Sequence, residues 1–319
     1  MAKNNNLHAA KTAKNDEFYT QLSDIEKELN NYKDFFKDKV VYCNCDDPRE
    51  SNFFKFFSLN FERLGLKKLI TTGYKVDGNG VAYIYEGDKN GNRMVDDNEV
   101  VVTELQGDGS YDSEECIEFL KQADVVVTNP PFSLFRDYVK QLMDYGKKFL
   151  IIGNKNAITY KEIFPYIKNN QLWCGVRSFS GGMWFVINDE TDCNTTKVEN
   201  NQLLGNVASC WFTNIPHTKR NTPIDLYRKY NEKDFPKYDN YNAIECGKVN
   251  EIPEDYYGVI GVPITFLDKY CPTQFEIVDA REVALYNKQK NKQTYLIKDA
   301  DGSINGKNTY ARICIKRIS

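Results

Sequence analysis

Histidine is nearly absent, with only His8 and His217 in a chain of 319 residues. That scarcity argues against a histidine-based nucleophilic triad or a metalloprotease helix, both of which need imidazoles at fixed spacing. Cysteine occurs nine times but never as Cys-x-x-Cys, so no structural zinc or other metal site is expected. The odd, scattered set fits a reducing, cytoplasmic setting. No apolar run approaches membrane-spanning length. The polar, basic stretch Met1 to Asn15 lacks the apolar core of a secretory signal. A large excess of one charge is missing too. The net charge of −3 divides into −6 over residues 1–154 and +3 over residues 155–319, so the carboxyl half is the better candidate to face a polyanion. No internal repeat is present, and the Asn/Tyr enrichment of 227–242 is modest.

What is present alternates. Leu22, Ile25, Leu29 and Tyr32 recur at helical spacing and predict an amphipathic helix over Gln21 to Phe36, preceded by the loop Phe18-Tyr19-Thr20. Val40 to Cys45 reads as a buried strand. It closes on Asp46-Asp47-Pro48, ahead of a Phe-rich helical pattern through Leu64. A second strand, Leu69 to Thr72, ends at Gly73. Residues 75–103 suggest a β-hairpin insertion around the turn-rich Gly87-Asp88-Lys89-Asn90-Gly91-Asn92. Gly107-Asp108-Gly109-Ser110 is a tight loop that exposes one carboxylate. After a further strand, a helix over Ser133 to Tyr145 leads to the strand Lys148 to Gly153. This is the order of a parallel α/β sheet with helices on both faces. Beyond it come short strands at 173–176, 182–187 and 207–212. Late strand candidates at 275–278, 294–298 and 310–315 suggest a smaller α+β or β-rich region. The boundaries expected are 1–216 and 217–319.

The most informative stretch is Asp124-Val125-Val126-Val127-Thr128-Asn129-Pro130-Pro131-Phe132. A β-branched run ends at two prolines that cannot donate to a ladder, so Asn129 is held at the carboxyl edge of a sheet, where open α/β sheets bind ligands. An amino group on a conjugated ring or carbonyl is a poor nucleophile because its lone pair is delocalised. A site that methylates it must accept hydrogen bonds from its N–H groups. The Asn129 side-chain oxygen and the Pro130 main-chain oxygen are fixed, neutral acceptors of that kind, and Phe132 offers a face for a planar base. The same tetrapeptide can also do no more than end a strand, and two acids before a helix can be no more than its cap.

Taken in order, Leu7-His8-Ala9-Ala10-Lys11 through Asn15-Asp16-Glu17-Phe18-Tyr19-Thr20, Cys43-Asn44-Cys45-Asp46-Asp47-Pro48, Asn129-Pro130-Pro131-Phe132, Gly181-Gly182-Met183-Trp184-Phe185 and Gly261 to Tyr270 resemble the EcoRI-type adenine-specific DNA methyltransferases. The resemblance spans most of the chain. It implies a Rossmann-like methyltransferase sheet followed by a target-recognition region, and transfer of methyl from S-adenosylmethionine to the N6 of an adenine flipped out of double-stranded DNA. It further implies that Phe18, Tyr19 and Thr20 lie near the methionine end of the cofactor. Asp46, Asp47 and Pro48 would form its main turn, Asp108 would accept from its adenine amino group, and Asn129, Pro130, Pro131 and Phe132 would make the catalytic loop. Lys219, Arg220 and Trp184 are the candidate DNA contacts, with Phe179 an alternative to Trp184 as second wall around the base. A cognate restriction endonuclease would be a functional rather than physical partner. Two features depart from the wider superfamily. The glycine-rich turn after the first strand is replaced by Cys-Asp-Asp-Pro-Arg-Glu-Ser, and no acid follows the second strand. Two other readings remain at this point: a protein glutamine N5-methyltransferase, and a non-catalytic DNA-binding protein with the same fold.

Overall fold

The computed structural model describes residues 19–318 except 76, 93, 180, 188–194 and 286–294. The chain divides into two compact units, 1–157 with 175–215 and 158–174 with 216–319. One division falls near residue 216, and residues 158–174 group with 216–319.

In the first unit, β1 (Tyr19–Thr20) leads into α1 (Leu22–Leu29). The expected longer helix is broken. Asn30–Phe35 is a 3-10 turn with a kink at Tyr32, and Asn31 Nδ2 donates to the Lys27 and Glu28 carbonyls, so a side chain competes with the helical ladder. Next come β2 (Val40–Cys43), α2 (Asn52–Leu59), the short α3 (Phe61–Leu64), β3 (Lys68–Gly73), β4 (Val81–Tyr85), β5 (Val100–Glu104) and α4 (Glu114–Gln122). Ser51 and Ser113 cap α2 and α4 by accepting from Phe53 N and Cys116 N. Then follow β6 (Val125–Thr128), α5 (Phe135–Asp144) and β7 (Lys148–Asn154). A short helix α6 (Phe164–Lys168) and strand β8 (Trp173–Cys174) belong to the second unit, before β9 (Met183–Val186), β10 (Thr196–Glu199), β11 (Gln202–Val207) and β12 (Ser209–Thr213) return to the first.

The main sheet runs β5-β4-β3-β2-β6-β7-β12. Strands β3, β2, β6 and β7 are parallel. The expected hairpin extends the sheet: β4 pairs antiparallel with β3, Gly73 opposite Val81 and Leu69 opposite Tyr85. Alternation along β2 explains the helices on both faces. Val41 and Cys43 join the core beneath α1 and α2, while Tyr42 turns to Phe119 of α4. On the same face as α4, Phe135 of α5 meets Phe212 of β12 at 4.9 Å. A second sheet, β1-β9-β11-β10, is antiparallel, with Met183 and Phe185 turned into the main core.

The second unit holds a mixed sheet, β13 (Ile244–Glu245), β14 (Val259–Pro263), β15 (Phe275–Val278) and β18 (Arg312–Arg317) in the order β13-β14-β18-β15. It also holds α7 (Ala280–Val283) and a small hairpin of β16 (Ser303–Ile304) and β17 (Lys307–Asn308). The candidate strand at 294–298 is reduced to one bridge, Ile297 to Arg312, and residue 294 lies outside the described residues.

Candidate active site

The order of the parallel strands reverses at β2. Its successor β3 lies on one side and β6 on the other, the switch point at which open α/β sheets leave a crevice beyond the strand ends. Tyr42 pairs with Val126, and continuing that register sets Asn44 beside Thr128. The Thr128 hydroxyl donates to the Asn44 carbonyl, and Tyr138 of α5 donates to Asn44 Oδ1. The two turns that leave β2 and β6 are therefore clamped together just below Asp46 and Asn129. Where glycine would ordinarily make the turn, Cys45 takes φ +78°. A non-glycine residue there stores about 1–2 kcal/mol of strain, which the clamp must hold.

Asn129 is buried, with Pro130 buried beside it, while Pro131 and Phe132 are half-buried. Phe132 opens a 3-10 turn before α5 and packs on the main core. Beside this floor a buried thiol and a buried phenol are held neutral. Burial, then the nearby Asp46 charge, pushes the Cys43 thiol well up, and burial first of all does the same to the Tyr138 phenol. Such a floor offers hydrogen-bond acceptors without charge, as an exocyclic amine requires.

Thr20 is joined to the start of the helix that follows the Asp-Asp-Pro turn, since Asn52 Nδ2 of α2 donates to the Thr20 carbonyl at 2.8 Å. Tyr19 and Thr20 are fixed from the other side by pairing with Val186 and Phe185. The Thr20 hydroxyl is buried with no hydrogen-bond partner among the described residues. A ligand with a polar group at this position would satisfy it. Phe18 lies outside the described residues. Within the turn, Asp46 accepts from Ser51 Oγ at 3.3 Å. Asp47 accepts from the Arg49 side chain and main chain, and that guanidinium holds its carboxyl below the usual value.

Asp108 is exposed. Its Oδ1 accepts from Ser110 N at 2.9 Å and its carbonyl accepts from Lys75 N at 2.8 Å, which ties its loop to the end of β3. Three glycines make that approach possible. A Cβ on Gly109 would lie 2.4 Å from the Gly73 carbonyl oxygen, and one on Gly80 would lie 2.7 Å from both Gly109 Cα and the same oxygen. A Cβ on Gly73 would strike the Pro48 ring at 2.7 Å. The turn after β2, the end of β3, the start of the hairpin and the Asp108 loop therefore meet main chain to main chain. Sequence reasoning noted Gly73 and Gly109 only as turn residues. The signal for their packing role was one glycine at each of three neighbouring element ends. Beside them lies a cavity of about 340 Å³ lined by Asp47, Gly73, Tyr74, Asn79, Tyr83 and Glu104 among others. Its size falls in the range of small-ligand sites. The bare hydroxyl of Thr20 and this glycine cradle both fit a nucleoside-bearing methyl donor.

The three candidate DNA contacts are placed differently. In the first unit Trp184 points away from the core on β9, half-exposed, with Lys197 Nζ 4.7 Å from its ring centroid. Phe179, its alternative, is buried, with Lys155 over the ring. In the second unit Lys219 pairs with Asp268 at 2.6 Å, and Arg220 stacks 3.6 Å above Trp173 and donates to Asn170 Oδ1. Burial lowers the Arg220 pKa. Both cations thus have intramolecular partners, which the basic dipeptide alone did not reveal.

Residues 6–318 match the family model described as "Adenine-specific methyltransferase EcoRI". The chain is 47% identical to the Type II methyltransferase M.EcoRI of Escherichia coli, covering 99% of this chain and 97% of that protein. It is 39% identical to M.MpnI of Mycoplasma pneumoniae and 38% identical to M.MgeORF184P of Mycoplasma genitalium, with 98% of each chain covered in both cases. No solved structure gives a significant match. The family's adenine specificity sets aside a glutamine side chain as the methyl acceptor. With the Asp46 and Asn129 turns leaving neighbouring strands and the match running along nearly the whole length, the chain belongs to the EcoRI family of adenine-specific methyltransferases.

Proposed function

We propose that this protein is a site-specific DNA methyltransferase that binds S-adenosylmethionine in its first unit and methylates the N6 of an adenine rotated out of double-stranded DNA. The observation that carries the reading is the clamp between Asn44 and Thr128, which sets the Asn129 turn beside the Asp46 turn. S-adenosylmethionine, when bound, supplies a methyl group made electrophilic by its sulfonium charge. Thr20, Asp46 and Asp108 would hold that donor through hydrogen bonds, and the glycine-lined edge would admit its nucleoside.

Asn129 Oδ1 and the Pro130 carbonyl would accept from the two N–H groups of the adenine amine and hold its lone pair toward the methyl, alignment being the main catalytic lever. Phe132 would stack on the base. Stacking and phosphate contacts offset an unstacking cost of about a few kcal/mol. The second unit is the target-recognition part in this reading. Lys219 and Arg220 act there chiefly by fixing its shape, and a restriction endonuclease reading the same sequence is the functional partner. Tritium from labelled S-adenosylmethionine should pass to duplex DNA with the wild type. In Asn129→Ala the rate should fall by about 10²–10³-fold, with cofactor affinity kept within threefold. Wild-type protein that labels no DNA would defeat the proposal.

A further inference from the structure

The tip of the β4–β5 hairpin contains the run Asp88-Lys89-Asn90-Gly91-Asn92-Arg93-Met94-Val95-Asp96-Asp97-Asn98-Glu99. Counted from Asp88, side-chain oxygens fall at positions 1, 3, 5, 9 and 12, the ligand positions of a twelve-residue calcium loop, with glutamate last. Position 8, Val95, is aliphatic and packs on the main core. The loop departs from the helix–loop–helix pattern in two ways. Strands rather than helices flank it, and Arg93 stands at position 6 where glycine is usual. Gly91, at φ +79°, supplies a left-handed turn two residues earlier.

A second observation, independent of that spacing, points to a cation. Glu99 is only 6% exposed, and among the described residues no lysine or arginine pairs with it. Among the described residues its carboxylate is met by N–H groups of the loop, those of Lys89 at 2.7 Å, Asn90 at 3.2 Å and Asp96 at 3.5 Å. A buried carboxylate ordinarily has a cation or a metal beside it. Asp88 crowds it, because Asn90 N lies 3.2 Å from both Asp88 Oδ1 and Glu99 Oε1. The side-chain amides of Asn90 and Asn92 both donate to Asp96 Oδ2, at 2.6 and 2.8 Å. Five oxygen-bearing side chains of the loop are thus tied to one another and to its N–H groups by hydrogen bonds. The neighbouring phenol senses the charge: Tyr85 is pushed up to about 12, by burial first and then by Glu99, Asp88, Glu62 and Asp96.

We propose that Asp88, Asn90, Asn92, Asp96 and Glu99 form a binding site for one hard divalent cation of the calcium class. Glu99 and Asp88 are the anionic ligands, Asp96 and the Met94 carbonyl complete the shell, and on binding Asn90 and Asn92 would present the amide oxygens that now accept from Asn92 N and Met94 N. Carboxylates alone do not close a cage, since no group of three His, Cys, Asp or Glu side chains among the described residues could hold a metal. The two amides and the main-chain oxygen are therefore essential. An all-oxygen set of this composition suits calcium, which takes six to eight oxygens, rather than zinc. The site lies at the end of β4 where Tyr85 pairs with Leu69, whereas the glycine cradle lies at the other end, where Val81 pairs with Gly73. The cation pins the hairpin and takes no part in methyl transfer.

Full-length protein treated with chelator and then titrated with calcium chloride should bind one equivalent per chain by calorimetry and gain thermal stability. Terbium should show luminescence when tyrosine is excited, Tyr85 being the donor. Glu99→Gln should weaken calcium binding at least tenfold, Asp88→Asn should weaken it as well, and methyl transfer to DNA should be the same with calcium as with chelator. S-adenosylmethionine binding in chelator reports whether each variant is folded. If neither variant folds, the wild-type titration decides alone. The proposal is overturned if wild-type protein shows no saturable calcium binding at millimolar concentration, if magnesium binds in preference to calcium, or if both folded variants bind as tightly as wild type.

Discussion

Replacing Gly109 by alanine tests the glycine cradle directly. Gly109 has φ +78°, and the new Cβ would lie 2.4 Å from the Gly73 carbonyl oxygen. The left-handed backbone alone costs an alanine about 1–2 kcal/mol. The obstacle is main chain of a central strand rather than a pliable side chain, and overpacking of that kind costs about 1–3 kcal/mol. Together these give a loss of about 2–5 kcal/mol. Gly107 is the internal control: a Cβ there meets nothing within 4 Å and its φ is not in the left-handed region, so alanine should change stability by less than about 0.5 kcal/mol. Urea denaturation of the two variants, read from their midpoints, gives the difference. Because the displaced main chain carries Asp108, calorimetry should also show S-adenosylmethionine affinity reduced at least tenfold in Gly109→Ala and unchanged in Gly107→Ala. Equal stability and equal affinity of the two variants would refute the claim that these turns meet through backbone contact.

Thr20→Val removes a buried hydroxyl that has no hydrogen-bond partner among the described residues. Stability should be unchanged or up to about 1 kcal/mol higher, while cofactor affinity falls by about fivefold for the lost hydrogen bond. The pH dependence of unfolding should carry the signature of His217, whose pKa burial lowers from an ordinary 6.5 although its Nε2 lies 3.0 Å from the Cys174 carbonyl. The unfolded chain then takes up the proton more readily than the folded one. His217 therefore withdraws no stability above pH 6.5 and destabilises progressively as pH falls from there toward the lower folded value, a slope that His217→Gln should flatten. Arg220→Ala removes the stack on Trp173 and should lower stability by about 1–2 kcal/mol in a thermal or urea melt. A variant that loses DNA affinity at full stability would instead make Arg220 a phosphate ligand.

Much of the first unit is legible in the sequence, because its signals are local. The β-branched run before Asn129-Pro130 could only be a strand that stops there. The period of Leu22, Ile25 and Leu29 could only be one apolar helix face. The hairpin was legible for the same reason, but not its place at the edge of the sheet, since strand pairing is chosen by partners distant in sequence. The departure after the first strand was visible as missing glycine. That Cys45 would take the left-handed turn itself depended on the hydrogen bonds that Thr128 and Tyr138 donate to the preceding Asn44.

The chain by itself determined the chemistry on offer: neutral acceptors at Asn129 and Pro130, acids at Asp46 and Asp108, almost no histidine, and the oxygen spacing from Asp88 to Glu99. Residue identity and proline geometry fix those properties wherever the chain goes. Only the tertiary structure decided which groups meet and which are already engaged. Lys219 and Arg220 look alike in the sequence as exposed cations, yet Asp268 and Trp173 occupy them, and residues 158–174 join the second unit although they follow the last parallel strand. Pairing of this kind depends on closing long stretches of chain against one another. Its outcome is set by the summed burial and hydrogen bonding of the whole fold rather than by any local pattern.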